Sequence, residues 1–252
     1  MESEKKYALL IDADNIAPKY IDIILSESKE FGIVSIRRIY GDWTDVTKAS
    51  WKEALLESSV IPIQQYTYTR GKNSSDSAMI IDAMDILYGN DVDGFILVSS
   101  DSDFTRLAMR LRESGKDIIG MGESKTPSAF VKACRIFKTL DVLYKTTLRL
   151  SEDTTEEKAS MGGADTEIAP ITSIETIKSA IITLIENKQQ EDEWLFLGDL
   201  GNYLLKEFPD FDYRNYGFKK LTQLISEIRE VETKSEKTGR GITLVYARRK
   251  AV

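Results

Sequence analysis

Gly94-Phe95-Ile96-Leu97-Val98-Ser99-Ser100-Asp101-Ser102-Asp103-Phe104 decides the fold. An apolar run from Phe95 to Val98 stops at a pair of serines, and Asp101 and Asp103 follow. Behind them Phe104, Leu107, Ala108 and Leu111 recur at helical spacing. This pattern predicts a buried strand, a tight turn and a helix. It puts both aspartates at the carboxyl end of a strand, where open α/β sheets bind their ligands. Carboxylates this close repel each other unless a cation or a set of donors answers them. Mg²⁺ and Mn²⁺ take oxygen ligands of this kind. The plainer reading is that one aspartate caps the helix that follows.

The arrangement recurs at the start of the chain. Tyr7 to Ile11 is apolar and ends in Asp12-Ala13-Asp14-Asn15, ahead of a helix expected over about Ile16 to Phe31. Ile33 to Tyr40 reads as the next strand, then a helix through Trp51, Leu55 and Leu56, then a strand from Val60 to Tyr66. Thr67 to Ser75 is polar and basic and reads as a mobile loop. Asp76 opens a helix with Met79, Ile80, Ala83, Met84 and Leu87 on one face. Asp82 lies about 120° around that helix from Asp76, so the two do not share a face. After the organising strand come a helix to Gly115, a strand over Asp117–Met121, a helix from Ser128 and a short strand over Ile136–Leu140. Alternating strands and helices give a mostly parallel sheet covered on both faces. Its loops gather acids from separate segments on one edge, which favours a shared metal site over isolated caps.

Composition narrows the chemistry. The chain has 252 residues, one cysteine and no histidine. A metal site must therefore be built from oxygen ligands, and Ser-His-Asp and Cys-His nucleophile systems are excluded. Cys134 has no disulfide partner within the chain. No apolar run reaches the roughly 20 residues of a membrane span, and no signal-peptide core opens the chain, so a cytoplasmic location is expected. The net charge of −7 is uneven. Residues 1–150 carry 22 acids and 20 bases, 151–171 carry 6 and 1, and 172–252 carry 13 of each. The acidity thus sits mostly in the middle segment and is silent about a polyanionic partner for either flank.

Leu10-Ile11-Asp12-Ala13-Asp14-Asn15-Ile16, Lys72-Asn73-Ser74-Ser75-Asp76 and Val98-Ser99-Ser100-Asp101-Ser102-Asp103-Phe104 resemble the three motifs of the NYN domain, in the PIN-like nuclease group. The resemblance covers about residues 5–145. It implies a Rossmann-like sheet, an acidic pocket holding Mg²⁺ or Mn²⁺, and hydrolysis of RNA phosphodiesters. By position, Asp12, Asp76, Asp101 and Asp103 would bind metal and take part in catalysis, with Asn15 in support. Where the family often has Gly in the middle motif, this chain has Asn73-Ser74-Ser75. Phosphodiester cleavage needs an acidified water and a neutralised phosphate, and carboxylate-held divalent ions supply both. Arg70, Lys72, Arg106 and Lys125 are the candidate phosphate contacts, each with a solvated surface charge as its alternative.

Residues 149–171 have few apolar residues and no period, and are expected to be a flexible acidic linker between domains over 1–148 and 172–252. Beyond it, Ile174, Ile177, Ile181, Ile182 and Ile185 mark an amphipathic helix. A second helix begins near Leu197 with Asp199 as its expected cap, and a third near Tyr213 carries Phe218, Leu221, Leu224 and Ile225. Val231–Thr233 and Ile242–Tyr246 flank a turn and read as a hairpin. This is a winged-helix plan. Gly198-Asp199-Leu200 with Phe211-Asp212-Tyr213-Arg214-Asn215-Tyr216-Gly217-Phe218-Lys219-Lys220-Leu221 resembles the LOTUS or OST-HTH domain. That resemblance implies binding to RNA or to a protein partner, with Lys219, Lys220, Lys237, Arg240, Arg248 and Arg249 as basic contacts. Tyr213, Tyr216 and Phe218 are expected to pack in the core. The combined expectation is a metal-dependent endoribonuclease tethered to an RNA-recruiting module. A non-catalytic RNA-binding regulator with a vestigial acidic pocket is the alternative, and a small-phosphoester phosphatase a third reading.

Overall fold

The computed structural model describes residues 4–66, 74–89, 91–152, 172–188, 194–237 and 243–250. The chain divides into two compact units, Met1–Arg149 and Leu150–Val252.

The first unit is an α/β sandwich. Its strands are β1 (Lys6–Asp12), β2 (Ile33–Gly41), β3 (Ile61–Gln64), β4 (Gly94–Val98), β5 (Asp117–Gly122) and β6 (Ile136–Thr139). They form a six-stranded sheet in the order β3-β2-β1-β4-β5-β6, with every neighbouring pair parallel. The central strands are buried throughout: β4 shows no exposed residue, and β1 only Lys6. That is what two helical layers require, and it is why both strands read as unbroken apolar runs. The helices are α1 (Ile21–Lys29), α2 (Ala49–Ser58), α3 (Ser74–Gly89), α4 (Phe104–Glu113), α5 (Ser128–Ala133) and α6 (Leu140–Glu152). Tyr7, Leu9 and Ile11 of β1 join one core with Ile24, Trp51, Leu140 and Leu143. Asp12 falls on the alternate face by the strand period, and α3 packs against β1. Cys134, just after α5, is buried and donates to the Phe130 carbonyl at 3.3 Å.

Chain order rises outward from β1 to β3, then returns to β4 on the other side of β1. The boundary between β1 and β4 is therefore the switch point of the sheet, where the flanking connections diverge and leave a crevice. Both acid-bearing turns leave their strands there.

Several boundaries differ from expectation. The first helix is shorter, because Pro18–Tyr20 forms a 3₁₀ turn before α1 begins at Ile21. On α3 the fully buried positions are Asp76, Met79, Ala83 and Ile86, while Ile81 and Tyr88 are exposed. Helix α6 was not expected, and it runs to Glu152, beyond the expected start of the linker at 149. Residues 67–73 and 153–171, which hold most of the expected loop and linker, lie outside the described residues.

The second unit contains α7 (Ile174–Lys188), α8 (Leu197–Glu207), α9 (Leu221–Ser226), and strands β7 (Leu195–Phe196), β8 (Val231–Lys237) and β9 (Thr243–Arg249) in an antiparallel sheet of order β7-β9-β8. Ile177, Ile181 and Ile185 of α7 pack with Leu200, Leu204, Phe211, Leu224, Val231 and Ala247. Two details correct the sequence reading. Phe196 holds the N-cap position of α8, and Asp199 sits in its first turn instead. The third helix is split: Tyr213–Tyr216 is a 3₁₀ turn, and Gly217 at φ 82° breaks it from α9. A left-handed residue here suits glycine, which lacks the Cβ that makes this conformation costly. Tyr213, Tyr216 and Phe218 pack against the core, and the Tyr216 hydroxyl donates to the Thr172 carbonyl at 3.0 Å.

Candidate metal centre

Asp12 closes β1 at the switch point and is 1% exposed. Four donors meet its carboxylate. The backbone N–H groups of Asp14 and Asn15 reach Oδ1 at 2.9 and 3.3 Å, and Asn15 Nδ2 and Ser99 Oγ reach Oδ2 at 2.7 Å each. Burial raises the Asp12 pKa above the ordinary carboxylate value, and these hydrogen bonds oppose the rise. A buried carboxylate without such donors would be costly or protonated.

Ser99 is the joint between the two strand ends. Its hydroxyl donates to Asp12 and accepts the Asp101 N–H at 3.0 Å. Asp101 Oδ1 in turn accepts the Asp103 N–H at 2.9 Å. Asp103 occupies the N-cap position of α4 but makes no side-chain cap hydrogen bond, so capping does not account for its carboxylate. Asp76 comes from the first turn of α3 and is 7% exposed. Its pKa is pushed up to about 6, first by burial and then by the charges of Asp12, Asp101, Asp14 and Asp103.

One carboxylate oxygen from each of Asp76, Asp101 and Asp103 lies within 4.8 Å of the others. Asp76 is buried, Asp101 half-buried and Asp103 exposed, so the cluster opens to solvent on one side. A convergent, all-oxygen set of three carboxylates suits a hard divalent cation. Asp12 stands outside this triplet and is joined to it through Ser99. Asp82, as its helical angle predicts, is elsewhere: it takes hydrogen bonds from Arg38 and Tyr40 of β2.

The comparisons with known proteins bear on this arrangement. The profile of the NYN domain matches residues 6–141, which takes in all the acids just described. The chain belongs to the NYN domain family. A second profile, the OST-HTH/LOTUS domain, matches residues 172–243. NYN domains are nuclease-like, and OST-HTH domains bind RNA and mediate protein interactions. A crystal structure of a protein of unknown function from Vibrio parahaemolyticus is similar at 21% identity, covering 54% of this chain and 93% of that one, with a TM-score of 0.46. No curated protein matches the chain.

Around the NYN site the expected bases fall in different places. Arg106 is exposed on α4, and Lys125 is exposed and paired with Glu123 at 2.8 Å. Arg70, Lys72 and Arg240 lie outside the described residues. In the OST-HTH unit Lys219 and Lys220 are exposed just before α9, and Lys237 is exposed at the end of β8. Arg248 pairs with Glu232 at 2.5 Å, and Arg249 pairs with Glu186.

Among the described residues, one cation that reaches the NYN acids is Lys48, which the sequence did not flag. Lys48 Nζ lies 2.6 Å from Asp14 Oδ1 and donates to the Ala13 carbonyl at 2.6 Å. Its side chain is only 14% exposed. The stem of Lys48 also lines an apolar cavity of about 530 Å³ with Trp43, Leu55, Leu56, Val60 and Pro62. No periodicity or motif points to Lys48, because its partner is far away in sequence. Ser99 was in plain view inside the third motif, but its hydroxyl gains a role only once β1 and β4 are known to be neighbours. Among the described residues, no helix is long and apolar enough to cross a membrane.

Proposed function

We propose that this chain is a divalent-metal-dependent endoribonuclease: the NYN unit hydrolyses RNA phosphodiesters, and the OST-HTH unit recruits the RNA. The observation that carries the reading is the convergence of Asp76, Asp101 and Asp103 oxygens within 4.8 Å, with the Asp76 carboxyl pushed up to about 6. The raised value reflects burial first and then the negative charge of Asp12, Asp101, Asp14 and Asp103, which a bound cation would offset. Asp76, Asp101 and Asp103 would hold Mg²⁺ or Mn²⁺. When bound there, such an ion lowers the pKa of a coordinated water and offsets the charge on the scissile phosphate.

The remaining work falls to the protein. Asp12 and Asn15, with Ser99, fix the ends of β1 and β4 relative to each other, so that Asp101 and Asp103 are presented without rearrangement. Rigid presentation matters because small displacements of reacting groups cost large factors in rate. Arg106, Lys125 and the loop bases Arg70 and Lys72 are placed by sequence to hold flanking phosphates. Recruitment falls to the second unit, where Lys219, Lys220, Lys237 and Arg240 are the candidate contacts.

The test is cleavage of a mixed RNA pool with Mg²⁺, with Mn²⁺ and with EDTA, for the parent and for Asp101→Asn. Metal-dependent cleavage by the parent and its loss in the variant are expected. Equal rates for the two proteins, or cleavage that persists in EDTA, would overturn the assignment.

A further inference from the structure

We propose that the outward face of the β7-β9-β8 sheet is a stacking platform for single-stranded RNA, built from Trp194, Phe196 and Tyr246 with Lys234 and Arg248. The proposal rests on the RNA-binding reading of the second unit and assigns it a surface.

The strand period sorts the sheet into two faces. Leu195, Val231 and Ala247 enter the core. Phe196, Lys234, Tyr246 and Arg248 therefore project from the opposite face. The register sets them side by side: Phe196 and Lys234 flank Tyr246, and Arg248 lies next to it along β9. Trp194, immediately before β7, joins the same surface. Lys234 Nζ sits 4.8 Å from the Trp194 ring centre and 5.4 Å from that of Tyr246. The Arg248 guanidinium sits 4.5 Å from the Trp194 ring centre. The Phe196 and Tyr246 ring centres are 5.8 Å apart. All these side chains are half-buried.

The water-facing side of a small antiparallel sheet is ordinarily polar. Here it carries three aromatic rings interleaved with cations. That combination is what sequence-tolerant recognition of single strands uses: unpaired bases stack on rings and guanidinium planes while cations follow the phosphates. The rings are held in place. Phe196 lies on Gly198, where a Cβ would come within 2.4 Å of the ring, so any larger residue in that position displaces it.

The cations are available to an anion. Lys234 pairs with Glu236 at 2.9 Å and Arg248 with Glu232 at 2.5 Å, and both side chains remain 37% exposed. Exposed pairs of this kind contribute little, so a phosphate can take the place of either carboxylate. The acids also keep the face near neutral. Stacking, more than net charge, then supplies the affinity.

The experiment measures binding of a fluorescent oligouridylate of about 10 nucleotides to the full chain in EDTA, where metal-dependent cleavage plays no part. Trp194→Ala should weaken binding by about 5- to 150-fold, the range for loss of one stacked base. Its salt dependence should match the parent, because no phosphate contact is lost. Trp194→Phe should stay within about threefold of the parent. Lys234→Gln should lower the salt slope by about 0.7. On the unaltered chain, a 5-iodouridine oligomer should photo-cross-link to Trp194, Phe196 or Tyr246. Unchanged affinity in Trp194→Ala, or cross-links confined to other residues, overturns the platform. Failure of the parent to bind the oligomer overturns the RNA reading of the second unit with it, whereas tight binding without any metal-dependent cleavage overturns only the nuclease reading.

Discussion

The Ser99 hydroxyl lies 2.7 Å from Asp12 Oδ2 and donates to it, tying the end of β4 to the end of β1. The same oxygen accepts the Asp101 N–H, so a single atom holds the buried acid and positions the solvent-facing pair. Removing it should be costly twice over. Ser99→Ala should lower stability by about 1–3 kcal/mol, the cost of leaving a buried charged acceptor short of a donor. The loss should be larger at pH 8 than at pH 5, since the missing bond favoured the ionised form of Asp12. Urea titrations at the two pH values check this, and the same variant should cleave RNA more slowly than its parent.

Asp76 and Asp12 should respond oppositely to amidation. Asp76 suffers from burial and like charge, so Asp76→Asn should stabilise the metal-free protein at pH 8 by about 1–3 kcal/mol while abolishing cleavage. Asp12 is ringed by donors, and one end of an asparagine amide would face N–H groups. Asp12→Asn should therefore destabilise by about 1–3 kcal/mol. Relief of repulsion, the simple expectation for any acid in the cluster, fails there. Thermal melts of both variants in EDTA distinguish the two cases.

The metal-free protein should lose stability as pH rises toward neutrality. Burial and the neighbouring carboxylates push the folded Asp76 carboxyl up to about 6, above its ordinary value of 3.8, so folding favours the protonated form. Its favourable contribution is complete below about pH 4 and is lost as pH passes through 6, amounting to at most about 3 kcal/mol. The raised Asp12 pKa acts in the same direction. Protons should also compete with metal: Mn²⁺ affinity, read by calorimetry, should fall about tenfold per unit below pH 6 if one proton is displaced. A flat affinity between pH 5 and 7 would remove Asp76 from the ligand set.

Lys48→Met should leave Asp14 without its ammonium partner while preserving most of the apolar stem. We expect a stability loss of about 1 kcal/mol for this largely buried pair, with the Ala13 carbonyl also losing its donor. If the lysine also steadies RNA at the site, KM for cleavage should rise more than kcat falls. Steady-state kinetics separate the two effects.

Truncation should locate the end of the first unit. Helix α6 contributes Leu140 and Leu143 to the core under β1. A chain ending at 139 should fail to fold or lose more than about 4 kcal/mol, because deleting two buried leucines leaves a large void. A chain ending at 152 should melt cooperatively, and so should one covering 172–252. Circular dichroism melts of the three fragments provide the comparison.

The central sheet was legible because its strands are buried on both faces and read as apolar runs broken by Gly, Ser and Asp. Asp12, Asp101 and Asp103 were legible because they follow those runs directly, whereas Asp76 opens a helix and was legible only through the middle motif. Helix α6 was not, since Leu140 follows a β-rich stretch and the helical spacing of Leu140, Leu143 and Tyr144 begins inside what looked like a strand. The 3₁₀ turns at Pro18–Tyr20 and Tyr213–Tyr216 were absorbed into neighbouring helices because both periods are similar over one turn. Strand β7 is too short to show alternation. Without it, Trp194, Phe196 and Tyr246 had no common face, and a sheet-borne aromatic surface could not be assembled from spacing. Lys48 and Arg248 were invisible as partners for the same reason: contacts between remote segments leave no local pattern.

The lone thiol gives the chain a built-in reporter. Cys134 is 3% exposed, and burial pushes its pKa up to about 12, so the native state offers almost no reactive thiolate. An alkylating reagent can reach it only when the packing around α5 and β6 opens. The labelling rate therefore reads the opening equilibrium of the first unit, residue by residue silent elsewhere. The second unit holds no cysteine and leaves no signal of its own. Mass spectrometry of the intact chain can then follow how metal, pH or RNA shifts the stability of one unit in the presence of the other, with no engineered label.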